Sequence, residues 1–169
     1  ELWPGPTCAF KDMALTVLPY LLRKGCDICG IKETILILVA TSGDTGKAAL
    51  EGFKDAEGIK IMVFYPDDGV SKMQKLQMCT QEGENVNVVA VKGNFDDCQT
   101  AVKEIFSNEE YAKVLKDKNV ILSSANSINF GRLAPQIAYY FSSYLDLVSG
   151  GQIEMGEEID FSVPTGNFG

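Results

Sequence analysis

The 169-residue sequence predicts an α/β domain built on a parallel sheet, three layers deep, with helices on both faces. Three observations carry this reading. Short β-branched runs alternate with segments of helical periodicity. The early runs are apolar at successive positions, so both faces of those strands should be buried. Polar, glycine-containing loops follow strands at the points where helices begin. Crossovers between parallel strands should be right-handed.

In chain order, residues 12–24 have helical spacing, and Pro19 should interrupt or kink that helix. The first strand is 34–40; its run from Ile35 to Ala40 is the longest dense apolar stretch and is strand-sized. A helix over 45–53 follows, with Asp44 or Thr45 as its cap. Strand 60–65, helix 71–81 capped by Ser71, strand 86–91 and helix 96–107 continue the alternation. Strand 120–123 leads into a long helix over 129–147, with Pro135 in its first turns. Residues 150–158 form a glycine-rich acidic connection that reads as a surface loop, and 161–163 read as a fifth strand.

The formal net charge is −8, from 23 acidic residues against 15 Lys and Arg. An acidic surface repels polyphosphate backbones and anionic membranes, which argues against both as partners. A bound anion must therefore be held by a local site. No window approaches the ~20 apolar residues of a membrane-spanning helix. The opening Glu1-Leu2-Trp3-Pro4-Gly5-Pro6 has no basic start or apolar block, so no secretory signal is read there. The missing initiator Met and the closing Gly166-Asn167-Phe168-Gly169 turn lead us to expect an excised piece, truncated at both ends.

Cys8, Cys26, Cys29, Cys79 and Cys98 are an odd number, which points to reduced thiols and a cytoplasmic location. Cys26-Asp27-Ile28-Cys29 has half the spacing of a zinc site, but no second pair and no His exists to complete it, so no metal is expected. The lack of His also excludes Ser-His-Asp and Cys-His mechanisms within this chain.

Three polar clusters stand where open α/β sheets bind ligands, beyond the carboxyl ends of strands. Thr41-Ser42-Gly43-Asp44-Thr45-Gly46 follows the first strand and suits a carboxylate or phosphate, or is an ordinary capped turn. In the stretch from Ser123 to Arg132, hydroxyls, amides and a guanidinium could grip a phosphate dianion, or form a polar loop with a surface arginine. Pro164-Thr165-Gly166-Asn167-Phe168-Gly169 could make an anion nest. Lys11 opens a helix, where the macrodipole should lower its pKa and favour a neutral amine able to attack an aldehyde; alone, such a lysine is usually just solvated.

Taken together and in order, Pro6-Thr7, Phe10-Lys11-Asp12, the loop 41–46, Ser124-Ala125-Asn126-Ser127-Ile128-Asn129 with Arg132, and the loop 164–169 resemble the threonine synthases, within the second fold type of pyridoxal-phosphate enzymes. The resemblance runs from near Gly5 to Gly169, and the Ser-Ala-Asn-Ser-Ile-Asn stretch with its Arg is its most discriminating part. It implies a small α/β domain over 11–150, with 1–10 and 151–169 belonging to a larger cofactor domain. It implies that Lys11 holds pyridoxal 5'-phosphate and later moves protons, and that Gly166, Asn167, Phe168 and Gly169 cradle the cofactor phosphate. Ser42, Gly43, Asp44, Thr45 and Gly46 would take the substrate carboxylate and flank the cofactor ring. Relatives outside this branch often have Asn where Asp44 stands, which leaves open whether Asp44 contacts the cofactor. Asn126, Ser127 and Arg132 would bind the substrate phosphate. The implied reaction turns O-phospho-L-homoserine and water into L-threonine and phosphate, with the isolated chain itself inactive. Two alternatives remain: another phospho-amino-acid lyase of the same fold, or a non-catalytic nucleotide-binding module. The latter lacks both Gly-x-Gly-x-x-Gly after the first strand and Gly-x-x-x-x-Gly-Lys-Ser/Thr.

Overall fold

The computed structural model describes residues 2–163. Four strands, β1 (Thr34–Ala40), β2 (Ile59–Pro66), β3 (Val86–Val91) and β4 (Val120–Ser124), form one sheet in the order β3-β2-β1-β4. Every neighbouring pair is parallel. β1 and β3 have the bounds expected from their apolar runs.

Eight helices connect and flank these strands among the described residues: α1 (Asp12–Leu15), α2 (Leu18–Cys29), α3 (Asp44–Phe53), α4 (Lys72–Cys79), α5 (Phe95–Ser107), α6 (Glu109–Asp117), α7 (Phe130–Gln136) and α8 (Ala138–Ser149). Strand side chains alternate between two cores. Ile35, Ile37 and Val39 of β1, with Ile59, Ile61 and Val63 of β2, join Leu15, Leu18, Leu50, Phe53 and Met78 from α1–α4. Leu36, Leu38 and Ala40, with Met62 and Phe64, meet Phe95, Cys98 and Val102 of α5 on the other face. That alternation makes the three layers, and it explains why β1 reads as continuously apolar.

Four expectations need correction. Residues 12–24 do not form one helix: the chain breaks after Leu15 and restarts as α2 with Pro19 near its start, where a missing N–H costs nothing. α2 then runs on to Cys29 and stops at Gly30, whose φ of 69° no other residue adopts as readily. Residues 129–147 likewise divide into α7 and α8 just beyond Pro135, which cannot donate into the ladder. Residues 161–163 form no strand. No described strand lies beside them; their side chains are exposed, and the Phe161 ring meets Tyr140 edge-on with centroids 4.8 Å apart.

The fourth concerns a missed element. α6 carries no buried residue: Tyr111, Val114 and Leu115 keep helical spacing, but the segment is short and polar overall, so its apolar stripe is thin. Its signal is the cap: Asn108 accepts from the Glu110 and Tyr111 amides, and Glu109 and Glu110 fill the first turn.

Candidate active site

In the order β3-β2-β1-β4 the chain moves outward from β1 to β3 and then returns to the opposite side of β1 with β4. β1 and β4 therefore flank the switch point, where loops leaving their carboxyl ends diverge and open a crevice. A polar cleft of about 170 Å³ lies there, lined by Lys11, Ala40, Thr41, Ser42, Thr45, Phe95, Asn126, Ser127 and Arg132. A larger hollow of about 360 Å³ lies at the β4 edge between α5 and α6, but its lining from Phe106, Ala112, Leu115 and Val120–Leu122 is mostly aliphatic.

The loop after β1 is organised by Thr41, which is 1% exposed. Its Oγ1 accepts from Gly43 N at 3.0 Å and Gly46 N at 2.9 Å. The cap of α3 is Gly43, not Asp44 or Thr45 as expected, and Thr41 supplies the oxygen that a capping side chain would otherwise provide. Gly43 has φ 145°, open to glycine alone. Gly46 must be glycine for a different reason: a Cβ there would lie 2.6 Å from Thr41 Cγ2 and 2.8 Å from Met78 Sδ. Among the described residues, the Ser42, Asp44 and Thr45 amides have no acceptor. Three free N–H groups at the start of a ten-residue helix suit an anion.

The segment after β4 is held by its own amides. The register pairing Leu38 with Ser124 would next set Ala40 against position 126. There the Asn126 side chain replaces the backbone rung: Nδ2 donates to Ala40 O at 2.8 Å and Oδ1 accepts from Ala40 N at 3.2 Å. Asn129 donates to Ser124 O at 2.8 Å and accepts from Gly131 N at 2.9 Å, which starts α7. α7 then carries Arg132 inward; it is 2% exposed, and its Nη1 donates to Ala125 O at 2.9 Å.

Lys11 enters from the other side, because α1 packs against both α7 and α3. The Asp12 carboxylate accepts from the Thr7 amide at 2.9 Å, from the Thr7 hydroxyl and from the Ala9 amide, fixing the turn that presents Lys11. Tyr139 of α8 donates to Phe10 O. The Lys11 ammonium sits 4.2 Å from the Phe10 ring centroid. Burial pushes its pKa below the ordinary lysine value, Asp44 opposes that shift and Arg132 adds to it. The expected direction is present, with burial as the largest cause; α1, only four residues long, offers a short dipole to add to it.

The structure thus brings Lys11, Ser42, Thr45, Asn126, Ser127 and Arg132 into one cleft, with Asp44 close enough to act on Lys11. Gly166, Asn167, Phe168 and Gly169 lie outside the described residues. Thr41, Asn129, Phe95 and Tyr139 were not singled out from sequence. Only Thr41 and Asn129 lay within recognised motifs; Phe95 and Tyr139 gave no signal before the chain was folded.

A family profile described as "Pyridoxal-phosphate dependent enzyme" matches residues 3–169. The chain belongs to this family of pyridoxal-phosphate dependent enzymes. It is 45% identical to "Threonine synthase-like 1" of Homo sapiens and 43% identical to "Threonine synthase" of Pseudomonas aeruginosa, in each case over 100% of this chain. It spans 23% of the first protein and 34% of the second. Among solved structures, PLP-bound threonine synthase from Brucella melitensis matches with TM-score 0.74 and 41% identity, over 87% of this chain and 30% of that one. Threonine synthase from Escherichia coli matches with TM-score 0.71 and 42% identity, over 84% and 31%. The parallel αβα sheet is accordingly that of the fold type II pyridoxal-phosphate enzymes.

The residues of this pyridoxal-phosphate dependent enzyme fit the family's cofactor. An aldehyde needs an amine in its neutral form, and Lys11 is half-buried with its proton affinity lowered. Two anion-receptive elements, the Ser42–Thr45 amides and the Arg132 guanidinium, line the same cleft.

Proposed function

We propose that the complete protein carrying this chain is a threonine synthase, converting O-phospho-L-homoserine and water to L-threonine and phosphate. The observation that carries the reading is the meeting of Lys11, the free amides after β1 and buried Arg132 in one cleft at the switch point. A substrate with an α-carboxylate at one end and a phosphate at the other needs two separate anion sites flanking an amine. Pyridoxal phosphate, when bound, supplies the electron sink for carbanion chemistry at Cα and Cβ.

The chain's own residues do the rest. Lys11 would hold the cofactor through Nζ and, when not so engaged, would take and return protons there; burial lowers its pKa, which favours the neutral, basic form. Ser42, Asp44 and Thr45 receive the substrate carboxylate through their amides, with Gly43 and Gly46 allowing the backbone its turn. Arg132 binds the phosphate with its planar fork, and Ser127 adds a hydroxyl. Asn126 contributes by holding Ala40 and hence the floor of the cleft. Loop 164–169 would take the cofactor phosphate.

The reading carries two further proposals. Residues 11–150 form the small domain, supported by both cores being drawn from within that span, while 1–10 and 151–169 join the larger one. The protein works in the cytoplasm, supported by five free cysteines. No helix of the described residues is long and apolar enough to cross a membrane.

A second reading, another phospho-amino-acid lyase of this fold, is favoured by one observation: the relative at 45% identity is named threonine synthase-like. Product analysis separates the two. The cofactor-loaded complete protein, given O-phospho-L-homoserine, should release phosphate and threonine in equal amounts. Phosphate released with a different organic product would establish the second reading.

A further inference from the structure

We propose that Gln74, at the start of α4, is a positioning residue for the loop after β1: it sets the orientation of Asp44 and the path of Gly43. The inference rests on the threonine synthase reading only for which ligand the loop takes.

Gln74 uses both ends of its carboxamide. Nε2 donates to Asp44 Oδ1 at 2.8 Å, while Oε1 accepts from Ser71 N at 3.1 Å. Ser71 Oγ in turn accepts from Gln74 N at 3.2 Å, closing a capping box at the N-terminus of α4. The amide also lies against the loop backbone. A Cβ on Gly43 would fall 2.4 Å from both Gln74 Cδ and Nε2, so the left-handed turn at φ 145° is formed around this side chain. Gly43 is the residue whose amide Thr41 holds from below, at 3.0 Å. The loop is thus gripped from two sides, by a buried hydroxyl of its own and by a side chain thirty residues further along the chain.

The position matters because Asp44 is exposed and its carboxylate has no other hydrogen-bond partner among the described residues, while it acts on Lys11 across the cleft. An unheld aspartate at a helix start would sample several rotamers and could turn onto its own loop amides, competing with an incoming anion. Gln74 holds it in one.

The capping and positioning roles separate cleanly by substitution. Gln74→Glu keeps the box, since Glu serves at this helix position as well as Gln, but it replaces the donor facing Asp44 with a second carboxylate. Asp44→Asn in that background supplies a new donor and restores the link with reversed polarity. Four forms of the complete protein are compared: parent, Gln74→Glu, Asp44→Asn and the double variant. Two readouts are taken, hydrogen exchange of the peptide spanning 41–47, and steady-state kinetics with O-phospho-L-homoserine.

For Gln74→Glu, exchange in 41–47 and KM should each rise about fivefold or more, with kcat changed less than about twofold. The double variant should return both to the values of Asp44→Asn alone. Unchanged exchange in Gln74→Glu, or loosening that Asp44→Asn fails to reverse, would reduce Gln74 to a helix cap and overturn the proposal. The exchange arm needs no turnover: loosening and rescue with an inactive parent would sustain the Gln74 role while removing the threonine synthase reading.

Discussion

Asn126 turns both ends of its side-chain amide onto one residue, Ala40, donating at 2.8 Å and accepting at 3.2 Å, while Ser124 Oγ also donates to its Oδ1 at 3.3 Å. The carboxamide stands in for a peptide group, adding a rung to the parallel ladder where β4 has already ended and its chain is turning towards α7. It joins the two strands between which the crevice opens.

That clamp makes Asn126 structural as well as cleft-lining. Ala40 is 3% exposed, so Asn126→Ala leaves its N–H and C=O without partners. The expected cost is about 1–3 kcal/mol, read by chemical or thermal denaturation. Asn126→Asp keeps the acceptor for Ala40 N but sets a carboxylate against Ala40 O, and should be no better than Ala.

Gly46→Ala should also destabilise, by overpacking. The added Cβ meets Thr41 Cγ2 at 2.6 Å, Met78 Sδ at 2.8 Å and Val63 Cγ1 at 2.9 Å, and two of these three residues sit in the close-packed core under α3. A loss of about 1–3 kcal/mol is expected, again by denaturation. A neutral outcome would mean that Met78 swings aside freely.

The pH behaviour of Lys11 has a definite sign. Burial lowers its pKa, Arg132 lowers it further and Asp44 raises it. Asp44→Asn should therefore move the midpoint of Lys11 labelling by an amine reagent to lower pH, and Arg132→Gln to higher pH. Mass spectrometry of the labelled peptide measures both. The stability consequence has the sign of a disfavoured cation: the charged lysine costs stability at neutral pH, and the cost fades as pH rises through its folded pKa towards the unfolded value.

Arg132→Lys keeps a positive charge but loses the two-pronged geometry. O-phospho-L-homoserine should bind at least ~10-fold more weakly, about 1.4 kcal/mol, with cofactor content unchanged. Loss of cofactor at unchanged substrate affinity would reassign Arg132 to the cofactor.

Much of this architecture was legible in the sequence because burial on both faces writes itself as an uninterrupted apolar run. β1 could be bounded to the residue for that reason. α6 was passed over because its segment is short and polar overall, although Tyr111, Val114 and Leu115 keep helical spacing; the breaks after Leu15 and near Pro135 were placed too loosely because proline marks a discontinuity without locating it to the residue. In the site, Lys11, the 41–46 loop and Arg132 could be read because each belongs to a contiguous motif. The supports could not: Gln74 reaches Asp44 across thirty residues and Tyr139 reaches Phe10 across 129, and no local pattern records a contact made only by folding.

The central claim is that Lys11 is the amine that takes the cofactor. The complete protein should be loaded with pyridoxal phosphate, reduced with borohydride, digested and mapped by mass spectrometry. The account predicts one stoichiometric phosphopyridoxyl adduct, on the peptide bearing Lys11, absent from Lys11→Ala. An adduct on any other lysine, or one that survives in Lys11→Ala, would contradict it.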